Sequence, residues 1–188
     1  MMPQSWLTPL ARFLADGGPV VWVILAFSVL MWALLIEGAL KLREARRDLE
    51  AGRLRDALAA TPSEVFLTPK RREKFCRACR QEAGRVVAEE VAWVRVIVAI
   101  LPLIGLLGTV DGMIESFNAL ASSTDADSSG LTGGISTALL TTLAGLVAAL
   151  SGVFTVYRLE RAAARYEREA FEIARRFVLT ASGRQAAS

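Results

Sequence analysis

The sequence predicts an all-α integral membrane protein. Three transmembrane helices extend beyond the bilayer into helical segments on the cytoplasmic side, with the amino terminus outside and the carboxy terminus inside. Three observations carry this reading. The stretch from Gly130 to Tyr157 runs 28 residues without a charge, and that from Pro19 to Ile36 runs 18. About 20 apolar residues are enough for a helix to cross a bilayer core. Of the 22 Lys and Arg, 14 lie between Lys41 and Arg95 and 7 between Arg158 and Arg184. Cations concentrated in the segments flanking apolar runs mark the cytoplasmic side. The polar stretch Ser122 to Ser129 carries Asp125 and Asp127 but no cation, which assigns it to the outer side.

Residues 1–17 form an outer segment whose charges are Arg12 and Asp16, unlike the basic start of a cleaved signal peptide. The first span covers 18–40, with Trp22, Phe27 and Trp32 among Val, Ile and Leu. Lys41, Arg43, Arg46 and Arg47 follow at once and set its orientation. Glu37, near its inner end, reads as interfacial. The cytoplasmic loop, 41–93, reads as one helix over Lys41 to Ala60, broken by Thr61-Pro62-Ser63. A second helix starts near Thr68-Pro69 and runs through Arg95 into the second span. The second span occupies 94–120, an outer loop 121–131, and the third span 132–157. From Arg158 onward, Ala162, Tyr166, Ala170, Ile173 and Phe177 recur at spacings of three and four. That is one amphipathic helix face, continuing the third span into a tail, 158–188, that frays from Gly183.

The third span divides into two faces. With Thr141 at zero and 100° per residue, Gly134, Thr137, Ala138, Thr142, Gly145, Ala149 and Gly152 fall between about −40° and +100°. Leu139, Leu143, Leu146, Leu150 and Phe154 fall opposite. Small residues let helices approach closely, and hydroxyls bond across helices. The face is therefore a packing seam, or the wall of a polar pathway, or both. On the second span Gly105, Gly108, Thr109, Gly112 and Ser116 share a sector of about 100°, with Pro102 in it. Asp111 and Glu115, one turn apart, lie about 160° from Thr109. Acids within a span are functional by default, but this pair sits late in the span, near the outer water.

Composition narrows the function classes. Without a histidine there is no imidazole acid–base or metal chemistry. Cys76 and Cys79 form a lone C-x-x-C, short of the four ligands of a structural zinc site and lacking a βαβ redox context. They read as two reduced thiols one turn apart. No nucleophile–base pair or phosphate loop is present, so neither enzymatic activity nor a cofactor is expected. Acids interleaved with the cations, and sparse aromatics, argue against nucleic acid. Three spans without an internal repeat argue against a solute transporter.

The segment PLIGLLGTVDGMIESFNAL, Pro102 to Leu120, resembles the signature of the MotA/TolQ/ExbB proton channel family. GGISTALLTTLAGLVAAL, Gly133 to Leu150, resembles that family's third-helix motif, and GGPVVWVILAFSV its opening. Three spans and a short chain look like ExbB or TolQ more than MotA, which has an additional span. The resemblance implies a homopentamer in the bacterial inner membrane, with its outer segments in the periplasm. It also implies a dimeric, single-span ExbD-like partner inside the ring, and a TonB-like protein energised by the proton motive force. By the same resemblance Thr109 and Thr142 match the pore threonines, and Thr137 and Thr141 share their hydroxyl-bearing wall. One departure stands out. Thr137, in Gly134-Ile135-Ser136-Thr137-Ala138-Leu139, occupies the place where many family members have glutamate. That implies a proton carrier on the partner chain, with Asp111 a poorer substitute because of its helix face. A TolQ-like role in the envelope, and a passive membrane scaffold, are the competing expectations.

Overall fold

A computed structural model describes residues 18–59, 69–122 and 128–186. Five helices make up almost all of these: α1 Gly18–Glu50, α2 Arg53–Ala59, α3 Pro69–Arg85, α4 Ala88–Ser122 and α5 Ser128–Ala186. Three of them, α1, α4 and α5, are long and apolar enough to cross a membrane, and only 22–28 % of each apolar window is buried within the chain. Leu150 is 71 % exposed, and Leu103 and Leu107 on α4 are exposed by 60 % or more. In water such a surface would collapse; in lipid it is the solvated face.

Helix ends follow local chemistry. Pro19 and Pro69 stand in first turns, where a missing N–H costs nothing. The first helix ends at Glu50 because Gly52 adopts φ +78° and its N–H bonds back to the Leu49 carbonyl at 3.2 Å, a left-handed cap. The loop helix expected over Lys41 to Ala60 is therefore two helices. The helix expected from Thr68-Pro69 through Arg95 is also divided: α3 stops at Arg85, a turn covers Val86 and Val87, and α4 restarts with Glu89 and Glu90 in its first turn, where the helix dipole favours acids. Pro102 sits inside α4 without ending it. The tail expected to fray at Gly183 stays helical to Ala186, and the third-span helix begins at Ser128, four residues earlier than expected. Asp125, Asp127 and Arg12 lie outside the described residues.

The chain forms two units, one comprising residues to 33 with 94–155, the other 34–93 with 156 onward. The first is an antiparallel α4–α5 pair with the start of α1 against it. Met31, fully buried, Leu101 and Thr141 form its core. The second packs the end of α1 with α2, α3, the start of α4 and the tail of α5. Its core holds Leu42, Val87, Leu159, Ala170 and Ala174. There Gly38 admits both Leu159 and Glu90 against α1. Lys41 pairs with Glu37 at 2.9 Å and with the buried Glu90, so Glu37 belongs to an ion cluster. Arg80 binds Glu167 at 2.6 Å and lies over the Phe171 ring, fastening α3 to α5.

Candidate functional site: the α4–α5 seam and its adjoining cavity

The seam is built from positions without side chains. A Cβ placed on Gly145 would stand 2.7 Å from the Leu101 carbonyl oxygen and 3.1 Å from Gly105 Cα. On Gly112 it would meet the Gly134 carbonyl at 2.8 Å, and on Gly108 the Thr141 Oγ1 at 2.5 Å. Gly134 lies against Gly112 and Ser116, and Gly152 against Met31 and Val98. At this approach no water fits between the helices, whose attraction comes from close packing.

Each threonine donates its hydroxyl hydrogen to a carbonyl. Thr142 Oγ1 donates to Gly105 O across the seam at 3.2 Å and to Ala138 O at 3.4 Å. Thr141, 1 % exposed, donates to Ala138 O at 2.9 Å. Thr137 donates to Gly133 O, and Thr109 to Leu106 O at 2.6 Å. Thr141 thus occupies the middle of the packed seam. Thr137 and Thr142 flank it. With its hydrogen engaged, each hydroxyl oxygen keeps lone pairs and offers a proton acceptor, not a donor. The contacts Gly105–Gly145 and Gly108–Thr141 put Thr109 level with Thr141 and Thr142.

Beyond the seam lies a cavity of about 400 Å³ lined by Gly18, Pro19, Val20, Gly108, Asp111, Ile114, Glu115, Asn118, Thr137 and Thr141. Asp111 and Glu115 therefore share one space with two of the singled-out threonines, whereas Thr109 and Thr142 lie outside it. The angle of about 160° from Thr109 does not separate the pair from the third span. The 160° angle is measured from Thr109, at the far edge of the packed sector. Measured from Gly108, at its near edge, Asp111 and Glu115 lie only about 60° and 20° away. Asn118 went unnoticed in the sequence, although Asp111, Glu115 and Asn118 form a polar stripe at i, i+4 and i+7. Neither acid has an ion-pair partner among the described residues.

Among the described residues no group of three or more Cys, Asp or Glu is placed to hold a metal. Cys76 and Cys79 on α3 are both half-buried, free thiols. Burial raises both above the usual thiol pKa; Arg175 pulls against it at Cys76, while Cys76 itself adds to it at Cys79.

The family profile described as the MotA/TolQ/ExbB proton channel family matches residues 48–172. A protein of Synechocystis described as putative biopolymer transport protein ExbB-like 3 is 31 % identical over 162 residues, covering 72 % of this chain and 77 % of the relative. A second from the same organism, putative biopolymer transport protein ExbB-like 1, is 44 % identical over 57 residues, 29 % of this chain and 22 % of that protein.

Proposed function

Because this chain belongs to the MotA/TolQ/ExbB proton channel family and is ExbB-like, we propose that it is the ring-forming subunit of an inner-membrane proton-driven motor. In this reading it assembles as a homopentamer around the spans of a dimeric ExbD-like partner and energises a TonB-like protein. Its amino terminus faces the periplasm, its second unit the cytoplasm. It is neither an enzyme nor a cofactor protein.

The observation that carries the mechanism is the dry seam. With glycine against backbone from Leu101 to Gly134, protons do not pass between α4 and α5 of one subunit. The route runs along the outside of the pair, against another chain. Thr137 and Thr142, at the seam's edges, present acceptor oxygens there. A protonated carboxyl on the partner's span can donate to such an oxygen, and a carboxylate cannot. Protonation thus changes which wall the partner prefers, and alternation between equivalent walls produces motion. Asp111 and Glu115 place two carboxyl groups at the cavity where protons enter.

The test is proton flux in proteoliposomes containing the chain and its co-purified partner, read with an internal pH dye. Thr142→Val removes the acceptor and the bond to Gly105, and flux is expected to fall at least tenfold. Asp111→Asn with Glu115→Gln is expected to reduce flux more at low ionic strength than at high, since exposed charges are screened by salt. Unchanged flux in both variants would remove these residues from the pathway. A Tol-linked partner in the purified complex would favour the TolQ-like role, and absence of flux with a partner bound would favour the scaffold.

A further inference from the structure

The second unit contains an open groove of about 900 Å³ between the end of α1, α2 and the tail of α5. Its floor is apolar: Leu49, and Ile173 with Phe177 one turn on, all only half-buried. Its rim carries four carboxylates against Arg168 and Arg176, with Arg46 beside it as a third guanidinium. Glu169 and Glu172 are partly neutralised by Arg46 at 3.8 Å and Arg176 at 4.0 Å. Glu50 and Asp56 are exposed and have no ion-pair partner among the described residues. An apolar floor under an acidic rim fits an amphipathic helix with apolar residues at i, i+3, i+4 and cations between them.

The groove also lies at a definite depth. Tyr157, half-exposed with Arg161 stacked over its ring at 4.4 Å, has the chemistry of a membrane-interface residue. Ile173 follows sixteen residues later on the same helix, about 24 Å further along at 1.5 Å per residue. About eight extended residues span that distance. Segments just cytoplasmic of a membrane span are rich in Lys and Arg within about 15–20 residues of the bilayer.

We propose that this groove receives the cationic, partly apolar cytoplasmic stub of a single-span partner chain. The proposal rests on the cytoplasmic placement of the second unit and on the single-span partner, both part of the function proposed above. It does not depend on proton conduction.

The experiment uses the full chain in zwitterionic nanodiscs. The probe is a fluorescein-labelled 14-residue amidated peptide with Leu at i, i+3, i+4 and i+7 and Lys elsewhere, beside a twin with Glu for Lys. Anisotropy titrations, corrected with empty nanodiscs, are expected to show at least tenfold tighter binding of the cationic peptide. Glu50→Lys with Asp56→Lys, two exposed positions whose change leaves the core intact, is expected to weaken binding at least tenfold. Ile173→Asp is expected to weaken it for both peptides. Equal binding of the twins, or no effect of the double variant, would overturn the proposal. So would maleimide protection of Ile173→Cys, in a Cys76→Ser, Cys79→Ser background, without peptide. That result would mean residues 60–68 or a second copy fills the groove. Peptide binding without proton flux would leave this proposal standing and count against the channel reading; flux without peptide binding would do the reverse.

Discussion

Gly145→Ala measures how tightly the α4–α5 seam is closed. The added Cβ would lie 2.7 Å from the Leu101 carbonyl oxygen, about 0.7 Å short of ordinary contact. It would also press on Gly105 Cα at 3.1 Å. Both obstacles are backbone inside helices, so neither can rotate aside; the helices must separate or shift. Overpacking of this kind costs about 1–3 kcal/mol, and a backbone obstacle puts Gly145 in the upper half of that range. About 2 kcal/mol is roughly a thirtyfold change in the folding equilibrium. Two glycines on the same helix calibrate the effect. At Gly152 the Cβ meets Met31 and Val98 side chains, and the methionine thioether can yield, so the loss is expected to be smaller. At Gly133 nothing lies within 4 Å, and alanine is expected to be neutral or to stabilise the helix by about 0.5–1 kcal/mol. Reversible unfolding of the three variants in mixed detergent–SDS micelles reads the order directly. If Gly145→Ala unfolds at the same denaturant fraction as Gly133→Ala, the helices are not in backbone contact and the dry-seam argument fails.

Thr142→Ser keeps the hydroxyl that bonds to Gly105 O and is expected to retain most of the proton flux that Thr142→Val loses, in the same proteoliposome assay. Lys41→Met leaves the buried Glu90 without its cation, so its thermal transition is expected to fall further than that of Arg77→Met, whose pair with Glu73 is exposed on both sides. Adding Glu90→Gln to Lys41→Met is expected to recover part of that loss; no recovery would mean the lysine acts by packing alone. The thiols of Cys76 and Cys79 titrate above their usual range, so at pH 7.5 less thiolate is present than for a free thiol. Maleimide labelling is expected to be slower than that of glutathione at pH 7.5 and to rise with pH; labelling as fast as glutathione's would contradict their burial.

The apolar runs and the small-residue sector of α5 are legible in one dimension, because helix periodicity alone sorts Gly134, Ala138, Gly145 and Gly152 onto one side. The breaks are less so. Gly52 sits among Leu49, Leu54 and Leu58 in an otherwise helical pattern, and a glycine inside a helix is costly but tolerated; only its left-handed φ makes it a stop. The turn at Val86 and Val87 itself holds neither glycine nor proline, and Gly84, two residues before it, is still helical. The surroundings of Asp111 are not legible for another reason. Angles on one helix say which residues share a face, not which neighbour that face meets. The neighbour is set by the antiparallel register of α4 on α5, fixed by contacts such as Gly108–Thr141 that have no local signature.

That register separates two roles the third-span face could have combined. Its centre, with Thr141 1 % exposed against Gly108, is consumed by packing. Its two edges diverge: Thr137 opens toward the cavity of Asp111 and Glu115, while Thr142 reaches back to the Gly105 carbonyl. A subunit built this way has hydroxyls but no carboxylate at the middle of its wall, and its acids at one end. Alone it places carboxyl groups at the cavity and hydroxyl acceptors beyond it, with no titratable group among those hydroxyls. On the proposed channel reading, proton transfer then requires a carboxyl brought by a second chain. The purified chain in liposomes without a partner is therefore expected to be proton-tight, and a leak comparable to that of the full complex would place the carrier within this chain after all.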